Sequence, residues 1–155
     1  MNITDNTWKY EFGGDMLLTG IILSGIFFFG FCFQAKASEK EYVKFYNKGV
    51  VANKKGDFDE AIRYYSKAIR LKPDSAALFY VRGRAYVEKE RYDNAISDFT
   101  RAITLKPAYA EAYNHRGVTY IGKGQNAQAI TDFKKACELG YKFGCANAEK
   151  FKSMK

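Results

Sequence analysis

Proline and histidine are almost missing from this sequence, with two Pro and one His among 155 residues. No stretch is rich in Gly, Pro and Ser together, which argues against a disordered chain or a long linker. The scarcity of histidine also closes most routes to acid–base and nucleophilic catalysis. His115 stands between Asn114 and Arg116, with no Ser or Cys beside it to form a nucleophile–base pair. There is no phosphate-binding loop: Gly122-Lys123-Gly124 lacks the flanking glycine spacing and the following hydroxyl. The acids Asp57, Asp59 and Glu60 gather at an expected helix start, where they complement the helix dipole. A closed zinc site takes four ligands, and the C-terminal region offers only the thiols of Cys137 and Cys145, with His115 about one repeat upstream. We therefore expect no enzyme, no metal and no cofactor.

What remains is ample apolar material. Hydrophobic residues make up 47% and aromatics 17%, including 12 Tyr and 13 Phe, enough to build a packed core. The length suits one compact domain and a targeting segment. The formal charge is +8; residues 1–37 carry −1 and the rest +9. That field favours acidic partners and adds a weak, non-specific attraction to anionic lipid or nucleic acid. The basic residues are spread along every expected helix, so no specific nucleic-acid site is expected.

Charge is wholly lacking from Met16 to Phe33, MLLTGIILSGIFFFGFCF. As a helix this run is about 27 Å long, close to the thickness of a bilayer core. It admits two readings with opposite topologies. As an anchor it is preceded by acids and followed by Lys36, Lys40, Lys44 and Lys48, which would hold the following domain in the cytoplasm. As an export signal it ends in Ala35-Lys36-Ala37, a small-x-small pattern that leaves Ser38 as the new N-terminus, and this places the domain on the periplasmic or extracellular side. Export is the favoured expectation.

The remainder matches itself at an offset of 34 residues. Gly49, Gly83 and Gly117 keep that spacing, as do Ala61, Ala95 and Ala129, and Ala68, Ala102 and Ala136. Rings recur at Phe45, Phe79 and Tyr113 and at Tyr65, Phe99 and Phe133; Pro73 and Pro107 form a pair at the same distance. Each period carries two helical patterns, exemplified by Ala76–Lys89 and Ala95–Leu105, with a break around Glu90-Arg91-Tyr92-Asp93. Ser38-x-x-Glu41 and Asp57-x-x-Glu60 read as capping boxes, and the prolines stop the second helices. Gly and Ala at fixed positions let paired helices approach closely, so these columns are scaffold.

A 34-residue helix–turn–helix unit with an aromatic, Gly, Tyr, Ala, Phe, Ala and Pro in that order resembles the tetratricopeptide repeat. The matching registers are Tyr42–Ser75, Ala76–Tyr109 and Ala110–Phe143, with Ala52 in place of the first tyrosine and Tyr141 in place of the third proline. The resemblance implies an all-α fold, a right-handed solenoid of antiparallel helical hairpins behind a hydrophobic N-terminal helix. The expected organisation is a leader over 1–15, the hydrophobic segment over 16–37, repeats over 38–75, 76–109 and 110–143, and a capping helix over 144–155. Cys137 and Cys145 flank the turn marked by Gly140, where two helices could meet closely enough for a disulfide. The resemblance to cysteine-rich relatives implies such a bridge and an oxidising compartment; the other reading is two reduced, buried thiols.

The family also implies an inner wall built from the first helix of each repeat, where a partner peptide or helix binds. By analogy the wall comprises Tyr46, Asn47, Val50 and Asn53, then Tyr80, Arg84 and Val87, then Asn114, His115 and Val118. Some relatives clamp a C-terminal carboxylate with Lys, Asn and Arg. The corresponding positions here hold Tyr46, Val50, Val81, Glu111 and His115, so no clamp is expected. The function expected is a protein-binding scaffold at or beyond the membrane. Its alternative is a self-assembling array, a homo-oligomer joined through exposed end repeats.

Overall fold

A computed structural model describes residues 40–152, and every described element is a helix or a turn. Helix α1 covers residues 40–54 and is already helical at the first described residue. It is followed by α2 (Phe58–Leu71), α3 (Ala76–Glu88), α4 (Tyr92–Leu105), α5 (Ala110–Gly122), α6 (Asn126–Glu138) and α7 (Lys142–Lys150). The leader, the hydrophobic segment 16–37 and the Ser38 capping box lie outside the described residues. Among the described residues no helix is long and apolar enough to cross a membrane.

The second helix of each repeat buries the same columns. Ala61, Tyr65 and Ala68 on α2 recur as Ala95, Phe99 and Ala102 on α4 and as Ala129, Phe133 and Ala136 on α6. Their spacing of three and four residues puts them on one helical stripe, and packing of that stripe stabilises a helix too short to persist alone. Each large ring lies against the glycine of the facing helix. A Cβ on Gly83 would stand 2.8 Å from Phe99 Cε1, and one on Gly117 2.7 Å from Phe133 Cε1. The glycine column is thus a socket for a ring.

Consecutive helices pack side by side as antiparallel hairpins. The first helices α3 and α5, and α5 and α7, also approach one another, more closely than any pair of the second helices α2, α4 and α6. The described chain is therefore an α-solenoid with its first helices on the inner side. Two further columns at the same period lock it. Arg82 donates from Nε and Nη2 to both carboxylate oxygens of Asp98 (2.8 and 2.7 Å) and from Nη1 to Ser66 Oγ of the preceding hairpin (2.9 Å). Arg116 repeats this with Asp132 (2.7 and 2.8 Å) and Thr100 Oγ1 (2.9 Å). A planar guanidinium fits such a two-sided contact in a way that a lysine ammonium does not.

Helix boundaries depart from the pattern in three places. The second helix of the middle repeat starts at Tyr92, three residues before Ala95, because Arg91 serves as its N-cap. Asp57 does cap α2, its side chain accepting from the Glu60 N–H at 3.2 Å, but the Glu60 carboxylate pairs with Arg63 and does not reach back. Half of that capping box is formed. The last helix, α7, begins at Lys142 after a turn at Gly140 (φ 84°), and a Cys137–Cys145 disulfide with Cα atoms 4.5 Å apart staples it to α6. Phe151 stacks on Phe133 at 5.6 Å, so the cap contributes a ring to the last hairpin's core.

Candidate binding groove

The inner wall is organised around Tyr80. Its ring centre lies 5.0 Å from Tyr109, 5.4 Å from His115 in an edge-on contact, and 6.0 Å from the buried Phe99. Exposed Arg84, one turn along α3, holds its guanidinium 5.9 Å from the Tyr80 ring centre. Tyr46, on α1, lies half-buried with its ring 6.2 Å from Tyr65. Burial is the largest influence on these phenols. It raises the pKa of Tyr80, and it pushes Tyr109 and Tyr65 up to about 12, with Tyr46 adding to the shift in both of the latter. All three therefore carry a proton at neutral pH and can donate hydrogen bonds.

Burial also pulls His115 down to about 4, helped by the nearby Arg84 charge and opposed by Glu111. The imidazole is neutral under ordinary conditions and acts as packing between the second and third repeats, 6.0 Å from Phe99. Its surface toward a partner is correspondingly small.

Two amides named from the sequence are committed elsewhere. Asn114 is buried, and its Oδ1 accepts from Asn147 Nδ2 of α7 at 2.9 Å. Its carbonyl is thus spent on holding the cap. Asn47 does not join the inner wall: it lines a recess with Lys48, Val51 and Tyr64 at the outer end of the first hairpin. The reason is register, since the same helical position carries Val81 and His115, both facing the preceding hairpin. Asn53 is half-buried on α1, Val50 packs on the first core cluster, Val87 is half-buried and Val118 is exposed.

Sequence reasoning missed Tyr109 and Tyr141. Tyr109 stands at the N-cap of α5, the column that holds Ser75 before α3, and a large ring where a capping residue belongs was the available signal. Tyr141, at the N-cap of α7, replaces the proline of the earlier repeats and lies near enough to Tyr80 to raise its pKa further. The scaffold residues Gly49, Ala61, Ala68, Ala95, Ala102, Ala129 and Ala136 are all buried in the packing between helices, whereas Pro73 and Pro107 lie exposed in the turns. Among the described residues, no three His, Cys, Asp or Glu side chains gather to hold a metal.

Family models described as tetratricopeptide repeat match residues 43–75 and 110–139, and one described as TPR repeat matches 83–124. The chain is a tetratricopeptide repeat protein. No curated protein matches it. Among solved structures, this tetratricopeptide repeat protein resembles the Arabidopsis OM64 TPR domain with a TM-score of 0.73 and 22% identity, over 76% of this chain and 99% of that one. At that identity the likeness concerns the fold. It is also similar to the second TPR domain of human RPAP3 in complex with the HSP70 peptide SGPTIEEVD (TM-score 0.70, 27% identity, 75% of this chain, 98% of that one). A third likeness is to the first TPR of Spaghetti (RPAP3) bound to the HSP90 peptide SRMEEVD (TM-score 0.70, 27% identity, 74% and 93%).

Proposed function

We propose that this chain is a non-catalytic adaptor that binds a partner peptide or helix on the inner wall of its repeats. The observation that carries the reading is the Tyr80–Tyr109 pair with Arg84 exposed beside it. Protonated phenols and a guanidinium supply donors for the carbonyls of a bound peptide, while the rings supply contact area with few torsions to freeze. The peptide-bound state of the RPAP3 domains supports the same use of the fold here.

The chemistry of the wall argues for a different peptide. Where a clamp would place cations and amides, this chain has Tyr46, Val50, Val81, Glu111 and His115. Glu111 repels a terminal carboxylate, and His115 is neutral. The partner expected is an internal segment with apolar or aromatic side chains and an acid positioned for Arg84. A peptide array read against the full-length chain tests this. We expect the selected peptides to lose at least tenfold in affinity with Arg84→Ala and more with Tyr80→Ala, and SRMEEVD to show no micromolar binding. Tight capture of SRMEEVD would refute the predicted specificity.

We further propose that residues 16–33 bring the repeats to or across a membrane, with export the favoured topology. Their unbroken apolar composition supports this. N-terminal sequencing of the native protein decides it: a chain beginning at Ser38 has been exported and cleaved, and an intact leader favours the anchor.

A further inference from the structure

The first hairpin exposes a face that the other repeats bury. At one position of the first helix, Val51 is 53% exposed, while its equivalents Ala85 and Thr119 are 0% and 1% exposed. Ala85 is closed over by the preceding hairpin, packing with Ile62 and Tyr65 of α2. Val51 instead borders an open recess of about 410 Å³, shared with Asn47, Lys48, Lys55 and Tyr64 and with two acids, Asp57, which caps α2, and Glu60, which pairs with Arg63.

The two interior junctions show what this face is shaped to receive. At the first, Lys89 Nζ donates to Asp59 Oδ2 (2.8 Å) and Arg82 donates to Ser66. At the second, Lys123 pairs with Asp93 and Arg116 donates to Thr100. Each following hairpin thus offers two cations seven residues apart. Each preceding second helix answers with an acid, an isoleucine three residues on and a hydroxyl seven residues on: Asp59, Ile62, Ser66 and then Asp93, Ile96, Thr100. The first hairpin keeps both cations, as Lys48 and Lys55. Lys48 lies 5.6 Å over the ring of Tyr64, which stands where Asp98 and Asp132 stand in the later repeats. Lys55 makes no ion pair among the described residues, and both cations border the recess.

We propose that this end face is a second docking surface, separate from the inner wall, for an amphipathic helix of a partner protein. That helix carries a carboxylate, an aliphatic side chain three residues later and a hydroxyl seven residues later, so that all three lie on one stripe. The carboxylate meets Lys55, the hydroxyl lies toward Lys48, and the aliphatic group covers Val51. A second copy of this chain stacked head to tail does not supply such a stripe. On α6 the corresponding positions are Ala127, Ile130 and Lys134, with a cation opposing Lys48 and no acid for Lys55, and α7 already packs on that helix.

The probe is a fluorescent helical peptide bearing Asp, Ile and Thr at i, i+3 and i+7, titrated by anisotropy into the full-length chain in detergent. We expect saturable binding that Lys55→Glu weakens at least tenfold, and that a peptide with Lys in place of its Asp restores to the Lys55→Glu protein. Val51→Asp should abolish binding, while Tyr80→Ala leaves it unchanged, which separates this surface from the groove. Lys55 and Val51 are exposed, so circular dichroism should show unaltered folding of both variants. The proposal is overturned by absence of saturable binding up to millimolar peptide, by indifference to Lys55→Glu, or by weakening with Tyr80→Ala. Concentration-dependent self-association that Lys55→Glu removes would equally overturn it, by making the occupant a second copy.

Discussion

Position 15 of the repeat shows how a single residue reports on backbone geometry. Gly56 and Gly124 hold φ of 80° and 72°, and in the middle repeat Glu90 takes the same turn at φ 55°. Crowding of a Cβ in this left-handed region costs on the order of 1–2 kcal/mol, partly matched by the extra entropy that glycine loses on folding. Glu90 is exposed and its carboxylate has no described contact to forfeit. Glu90→Gly should therefore raise stability by about 0.5–1 kcal/mol, read as a higher urea midpoint with an unchanged m-value. In the middle repeat the sequence marked this turn only indirectly, through the glycines that hold the same place in the neighbouring periods.

Between paired elements the governing fact is the ring in its socket. Phe99 is fully buried against Gly83, so a Cβ at 2.8 Å meets a ring with no free space to enter. Gly83→Ala should destabilise the protein by about 1–3 kcal/mol, by the cost of overpacking a filled core. Chemical denaturation measures it, and a loss below about 0.5 kcal/mol would mean that the hairpin slides to make room. The columns that form these sockets were legible because repetition samples each position three times. The Arg82–Asp98 and Arg116–Asp132 pairs obey the same period, yet a polar residue repeated on a helix looks like an ordinary solvated face until a structure shows what covers it. Asn114 and Asn47 illustrate the same blindness. Both are amides on a first helix, and only tertiary contacts turned one toward the cap and the other toward the open end.

For the whole molecule, stability is coupled to the one imidazole lodged between repeats. His115 titrates at about 4 in the folded chain and near 6.5 when exposed to water. Between these values the unfolded chain binds more protons, so stability is complete above about pH 6.5 and falls as pH is lowered toward 4. By pH 5 the loss should be on the order of 2 kcal/mol. Thermal melts between pH 7 and pH 5 should show this slope and should lose most of it in His115→Gln, over a range where few carboxylates titrate. Sequence alone determined that the chain is a stack of helical hairpins, because a 34-residue period with small residues in fixed columns calls for close-packed helix pairs that bury the ring column Tyr65, Phe99 and Phe133. By resemblance it also pointed to the first helices of the three repeats as the wall to inspect. Tertiary structure alone decided which polar side chains stay free and which are spent inside the stack. Neighbouring hairpins consume donors and acceptors by proximity in space, and such proximity joins residues that lie 16, 30 or 33 positions apart.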